Sequence, residues 1–392
     1  VSEVIALKPK ADEALFYKNK ANTLKELGKF KQAENYYRMA IRQSPNDGEC
    51  YLNISSIKTF HTSGDGDIKN MFIALGNSSS ESNKALLHFA LGKAFDDCKE
   101  YDKAFFHYSE ANKIQGNITP PKQYYLIDDI TKSQEKFFFT NTFFKKKAKY
   151  GNDSTMPFFI LGMERSGIKL VDSIMRNHSE VSSGGGINYL QKCASKMIEE
   201  NRTGVGYPAC LENISKQEIN LITTEYLSIL QTFCDKPTIK HVTNTSSSSF
   251  KHLGLIRLCF PNSKIIHCRR HPVDTCLSMF FNRFDTGYEY SYILENLVVF
   301  YKKYHKLMHM WQTVMPGFIH NVRYDDIIKN TEKTTNSLLK FCDLELEDTF
   351  LNIKPIKPRK KAKWRKYEEY IGRITETLEQ EIKSYMEDVT TT

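Results

Sequence analysis

No apolar run in this chain is long enough to cross a membrane, and its first residues lack the charged-then-apolar order of a secretory signal. Its 9 cysteines never fall as CxxC or in another metal-ligand spacing. An odd number of thiols without a framework reads as reduced and intracellular, which excludes a disulfide-stapled secreted fold. Apolar residues make up 40%, slightly little for a globular chain but unlike a disordered one. Charge of one sign is in moderate excess: +9 over 392 residues implies attraction to anions rather than to nucleic acid as such. What remains is a cytoplasmic chain with room for two or three domains. The sequence starts at Val1 within a helix-like pattern, which leaves a preceding targeting segment open.

A complete Walker A loop is also missing. The nearest approach is PFFILGMERSGIKLVDSIMRNH, residues 157–178. Phe158 to Leu161 is a short apolar run of strand type, bounded by Pro157 and Gly162. A polar turn follows, and apolar residues then recur at Ile168, Val171, Ile174 and Met175 with helical spacing. Gly162 and Gly167 are spaced as in a phosphate loop, but Lys169 comes one residue late and Leu170 replaces Ser/Thr. A nucleoside triphosphatase or kinase is therefore disfavoured. A strand, a glycine-bounded turn and a helix still make an anion site, because the first N–H groups of the helix are free and its dipole favours negative charge. An ordinary buried strand-to-helix connection fits the segment equally well when it is taken alone.

Upstream, Tyr17, Ala21, Leu24, Ala33, Tyr37, Ala40 and Pro45 alternate large and small, with Gly28 at a turn. Residues 85–118 repeat the pattern with Leu91, Gly92, Phe95, Tyr101, Ala104, Tyr108 and Ala111. Small residues let paired helices approach while aromatics fill the gap, and both units resemble tetratricopeptide repeats. The middle, 48–82, is degenerate, with Ser/Gly-rich breaks at 62–66 and 76–82. The expected domains are a repeat-like helical region at 1–118, a connector at 119–155, and an α/β domain at 156–392. In that last region the sequence predicts helices at 188–200, 216–233, 250–260, 274–284, 291–315 and 327–341. It predicts further strands at 239–242, 264–269 and 318–323, with 182–186 a loop. The alternation argues a parallel sheet with helices on both faces, whose ligand sits beyond the carboxyl ends of the strands.

The strand at 264–269 is again followed by a cationic turn and a helix: Arg269 and Arg270 leave the strand end, and Ser278 lies two turns into the helix. Arginine offers a fixed fork of donors suited to phosphate. Two such loops at adjacent strand ends suggest a ligand with phosphates in two places. Here the chain resembles the sulfotransferases that carry amino-terminal tetratricopeptide repeats, relatives of protein-tyrosine sulfotransferases. The likeness runs through LGLIRLCFPNSKIIHCRRHPVDTCLS at 253–278 and LMHMWQTVMPGFIHNVRYDDII at 307–328. It implies a P-loop-like fold and 3′-phosphoadenosine-5′-phosphosulfate (PAPS) as sulfonate donor, without a metal. By that resemblance Arg165, Ser166, Gly167, Ile168 and Lys169 hold the 5′-phosphosulfate, and Arg270 with Ser278 holds the 3′-phosphate. Tyr324 lies near the nucleotide, and Trp364 near a carboxy-terminal nucleotide loop.

Several positions depart from the family's pattern. Glu164 stands for a proline, and Ile168-Lys169 stand for two threonines. Gly186 stands for the glutamate base, Thr243-Asn244-Thr245 for Thr-Asp-Lys, and Pro358-Arg359-Lys360 for a Thr-Ser-Ser loop. Lys169 and Arg165 are the expected cations of the reaction, and His241 beside Lys240 is the candidate substitute base. A polar strand-edge pair is the plainer reading of His241 and Lys240, and Asp325 and Asp326 read as loop carboxylates. Arg359 and Lys360 sit in the densest basic run, 354–366, read as a lid over nucleotide or acceptor. No nucleic-acid-binding fold is recognisable. The acceptor (a protein tyrosine, a saccharide or a small molecule) is not written in the sequence, and the repeats point to a protein partner. A fold that keeps its shape after losing its reaction is the alternative to an active sulfotransferase.

Overall fold

A computed structural model describes residues 10–120, 139–200, 206–284, 287–351 and 362–387. Six helices lead: α1 (Lys10–Glu26), α2 (Phe30–Gln43), α3 (Gly48–Ile57), α4 (Gly66–Asn77), α5 (Glu81–Asp97) and α6 (Tyr101–Ile118). After α7 (Asn141–Lys147) strands and helices alternate: β1 (Pro157–Leu161), α8 (Ile168–Met175), β2 (Val181–Ser183), α9 (Tyr189–Glu200), α10 (Lys216–Gln231), β3 (His241–Asn244) and α11 (Leu253–Cys259). The series ends with β4 (Lys264–Arg269), α12 (Pro272–Phe280), α13 (Leu294–Val314), β5 (Ile319–Arg323), α14 (Tyr324–Lys329), α15 (Thr331–Phe341), α16 (Asp348–Leu351), α17 (Glu368–Thr377) and α18 (Glu379–Glu387). The described residues group into two compact units. One joins the six leading helices to the described parts of 276–298 and 363–376; the other holds the remainder.

In the first unit the alternation of large and small residues does what the sequence predicts. Ala21, Ala33 and Ala40 are fully buried with Tyr37, and Tyr17 and Leu24 pack against them. The Tyr37 hydroxyl donates to Asn22 Oδ1 at 2.5 Å, so burial of the ring leaves no polar atom stranded. α1 ends on Gly28 at φ +73°, with the Lys29 N–H returning to the Leu24 carbonyl at 2.9 Å. The degenerate middle is also a helix pair, α3 and α4, separated by the Ser/Gly-rich break. Most of the expected connector, 121–138, lies outside the described residues.

The second unit is built on a five-stranded parallel sheet in the order β2-β3-β1-β4-β5. β1 is central and buried at every position, as a parallel strand covered on both faces must be. Alternation divides its side chains. Phe158 and Ile160 join Val171, Met175, Leu338 and Leu339 on one face. Phe159 turns to the other, where its ring stacks on Tyr226 of α10 at 5.9 Å. β4 runs over the residues the sequence predicts, 264–269, whereas β3 starts two residues late at His241 and 182–183 is strand rather than loop. The helix expected over 250–260 is a 3₁₀ stretch, Ser247–His252, running into α11, and that expected over 327–341 is two, broken at Asn330. Among the described residues no helix is long and apolar enough to cross a membrane.

The turn from α5 to α6 repeats the geometry at Gly28 with a side chain in the way. Lys99 stands at φ +65°, and the Glu100 N–H returns to Phe95 O at 3.0 Å. Left-handed backbone costs a residue bearing Cβ about 1–2 kcal/mol, partly offset by the flexibility glycine adds to the unfolded chain. Lys99→Gly is therefore expected to raise stability by roughly 0.5–1 kcal/mol in urea titration, and Gly28→Ala to lower it by a similar amount.

Candidate functional site

The turn after β1 is held by one close backbone approach. Gly162 has φ +144°, and a Cβ there would lie 2.4 Å from the Cys268 carbonyl of β4. Arg165 (φ +69°) and Gly167 (φ +112°) add two further left-handed residues before α8 begins. Backbone of this kind turns successive N–H groups toward one concavity. The Leu170 and Val171 N–H groups return to Gly167 O at 2.9 and 3.1 Å. Those of Ile168 and Lys169 fall in the first turn, where a helix supplies no acceptor. Ser166 is 2% exposed, and its hydroxyl has no hydrogen-bond partner among the described residues. A buried hydroxyl without a protein partner is available to hydrogen-bond a ligand at this turn.

Arg270 reaches the same turn from the end of β4. Its Nη1 donates to the Arg165 carbonyl at 3.2 Å, and its guanidinium lies 5.0 Å from the centre of the Tyr324 ring. That ring in turn packs on Gly167, where a Cβ would come within 3.0 Å of Tyr324 Cδ2. Arg165, Ser166, Gly167, Arg270 and Tyr324 are thus brought together at the carboxyl edge of the sheet. Lys169 is exposed on the first turn of α8, while the Ile168 side chain is buried in the core, so only its backbone can meet a ligand. Ser278 and Trp364 belong to the other compact unit. There the Ser278 carbonyl accepts from Asn282 Nδ2 at 2.6 Å, and Trp364 is buried in a 3₁₀ turn, Lys363–Tyr367. Arg359 and Lys360 lie outside the described residues.

His241 is not brought to this edge. It opens β3 at the amino end of the sheet, its ring stacked on Phe158 at 4.3 Å and its Nδ1 2.9 Å from the Thr155 carbonyl. Burial lowers its pKa. From Phe158 to the turn is about 13 Å of strand, so the expected base lies at the opposite end of the strand from the turn. Lys240 pairs with Glu180. Gly186 does lie past the carboxyl end of β2, and a Cβ there would meet nothing within 4 Å. Asn244 is engaged in structure, donating to Ile187 O and the Tyr226 hydroxyl at 2.9 Å each.

Two features escaped the sequence patterns. Asp172 of α8 accepts hydroxyls from Thr243 (2.5 Å) and Ser183 (3.0 Å), clipping that helix to β3 and β2. His267, in the middle of the apolar strand KIIHCR, is buried beneath the turn against Tyr304. An aspartate on the apolar side of a helix and a histidine inside a strand are the only traces either leaves. Among the described residues no cluster of three or more His, Cys, Asp or Glu could hold a metal ion.

Residues 157–348 match the model of the sulfotransferase family, and residues 14–47 that of the tetratricopeptide repeat. An uncharacterized protein of Aquifex aeolicus (strain VF5) is 26% identical over 331 residues. The match takes 77% of this chain and 42% of that protein, so the chain spans about two fifths of its curated relative. Among solved structures, the sulfotransferase domain of the Synechococcus PCC 7002 olefin synthase is 19% identical with TM-score 0.36, over 54% of this chain and 80% of that one. A sulfotransferase from Mycobacterium avium is 10% identical with TM-score 0.38, over 81% and 95%.

Gly162→Ala tests the geometry of the turn. Strained backbone and a contact with a strand carbonyl should together cost roughly 1–3 kcal/mol, read as a lower urea midpoint. An unchanged midpoint would show that β1 and β4 can part at this point.

Proposed function

We propose that this chain moves a sulfonate from PAPS to a hydroxyl or amine of an acceptor, a reading supported by the match of residues 157–348 to the sulfotransferase family model and of residues 14–47 to that of the tetratricopeptide repeat. The observation that carries this reading is the turn at 162–169: a helix start, a buried unmatched Ser166 hydroxyl, and Arg270 locked onto the turn's own carbonyl. In an in-line transfer the acceptor oxygen or nitrogen bonds to sulfur and gives up its proton to a base or to solvent as the bond from sulfur to the bridging oxygen breaks, releasing adenosine 3′,5′-bisphosphate. Little covalent work falls to the protein, and catalysis rests on positioning and charge. The Ile168 and Lys169 N–H groups, Ser166 Oγ, and the Arg165 and Lys169 cations would meet charge growing on the bridging and equatorial oxygens. Arg270, with its guanidinium 5.0 Å from the centre of the Tyr324 ring, would meet the 3′-phosphate. The division at 118 and 156 is part of the same proposal, with the repeat segment binding a protein partner or the acceptor.

A second reading is favoured by one observation: the position that the resemblance reserves for a glutamate base is a glycine with open space around it. The chain would then bind nucleotide as a scaffold or sensor and transfer sulfonate poorly.

Calorimetric titration with adenosine 3′,5′-bisphosphate separates these readings from no function here at all. Saturable binding is expected, weakened about 10- to 100-fold in Arg270→Ala by the loss of about 1.5–3 kcal/mol of charged hydrogen bonding. No binding at millimolar nucleotide would sink both readings. Gly186→Glu then decides between them. A poised base contributes about 10²–10⁴ in rate, so a large gain in sulfonate transfer with unchanged nucleotide affinity identifies an impaired enzyme. No gain over a readily measured wild-type rate identifies an active one that draws its base from elsewhere.

A further inference from the structure

One aromatic ring of the last helix lies against the ends of two neighbouring strands. Tyr385 of α18 is 1% exposed, and its hydroxyl donates to Asp325 Oδ2 at 3.1 Å. The Arg323 guanidinium lies 4.4 Å from the centre of the ring and that of Arg269 lies 5.8 Å from it. The His271 ring meets it edge-on at 5.9 Å. α18 is tied in turn to α13. Lys302 Nζ donates to the Thr377 carbonyl at 3.1 Å, just before α18 begins, and His305 Nε2 lies 3.3 Å from Ser384 Oγ.

The four partners of Tyr385 form a pattern. Arg269 and His271 flank Arg270 in the chain, and Arg323 and Asp325 flank Tyr324. Arg270 and Tyr324 are the two residues that meet at the anion-binding turn, one on the Arg165 carbonyl and the other on Gly167. One tyrosine therefore touches the residue before and the residue after each of them. Contacts at both neighbours fix the backbone of the residue between them and leave its own side chain free for a ligand.

Charge explains why a ring stands there. β4 and β5 pair in register with Arg269 opposite Arg323, so two guanidinium groups stand side by side where the strands end. Like charges placed opposite each other repel. Asp326 Oδ2, 3.8 Å from Arg323 Nε, compensates in part. The negative face of a buried ring offsets the repulsion at both groups, and more strongly than an exposed ring because water does not compete. The hydroxyl, held by Asp325, fixes the direction in which that face looks.

We infer that Tyr385 is a positioning residue for the nucleotide site, holding Arg270 and Tyr324 to the turn through the residues on either side of them. The role rests on the sulfotransferase reading above; the bracket around the two residues does not.

Tyr385→Leu removes the ring face and the hydroxyl while keeping an apolar side chain in the core. In calorimetric titration of the full chain it is expected to weaken adenosine 3′,5′-bisphosphate about tenfold. Coupling separates positioning from a general loss of structure. In an Arg270→Ala background the same substitution should cost about threefold or less, because a residue it acts through is gone. Affinity equal to wild type in Tyr385→Leu, or an undiminished cost in the Arg270→Ala background, overturns the inference. Should Tyr385→Leu not fold, Tyr385→Phe enters the same cycle. It keeps the ring on both guanidinium groups and loses only the bond to Asp325, and an affinity equal to wild type again overturns the inference. If wild type binds no nucleotide, the sulfotransferase reading is at fault. The bracket is then decided by the Arg270 Nε–H resonance of ¹⁵N-labelled protein, which should shift in the Tyr385 variant; an unmoved resonance overturns it.

Discussion

The contact between the Gly162 backbone and the Cys268 carbonyl is the constraint on which the rest of the second unit depends. It exists because β1 lies between β3 and β4 in a parallel sheet, where a chain leaving the central strand must climb over its neighbour's carbonyl. Only a residue without Cβ can do so at that spacing. The climb delivers the start of α8 to the carboxyl edge, beside the point where Arg270 leaves β4. Parallel topology puts the end of every strand on one side, so two chain segments more than a hundred residues apart meet without a dedicated binding domain.

Much of this was legible in the residues, and the reasons differ by element. β1 and β4 are continuous apolar runs with polar or glycine borders, the form a doubly covered strand must take. The repeat helices were legible because alternating alanine and tyrosine has few other uses at that period. β2 was not legible: three residues with a single apolar side chain carry no period, and Val181 becomes strand through its pairing with His241. The same register moves β3 two residues later than its apolar content suggests. Hydrophobic pattern reports burial, and register reports which neighbour a strand finds.

The site divides along a similar line. The meeting of the turn residues with Arg270 was readable because both segments leave the carboxyl ends of neighbouring parallel strands. The role given to His241 depended on which end of a strand it occupies, and an imidazole stacked on Phe158 at the amino end has a different task. Asp172, His267 and Tyr304 depend on partners in distant segments and have no local signature. A position that offered only its backbone N–H would tolerate an altered side chain, and the Ile168 side chain is indeed turned into the core.

The clip at Asp172 gives the proposed anion site a mechanical character. Thr243 and Ser183 anchor α8 about one turn beyond its start, so this short helix is pinned at its middle. A dipole that has to swing into line when charge appears spends part of its stabilising effect on its own reorientation. One fastened to two strands behaves as part of the sheet, and the field at its tip is as stiff as the sheet itself. Such a tip favours one position of charge over others a fraction of an ångström away, which is the discrimination the proposed sulfonate transfer would require.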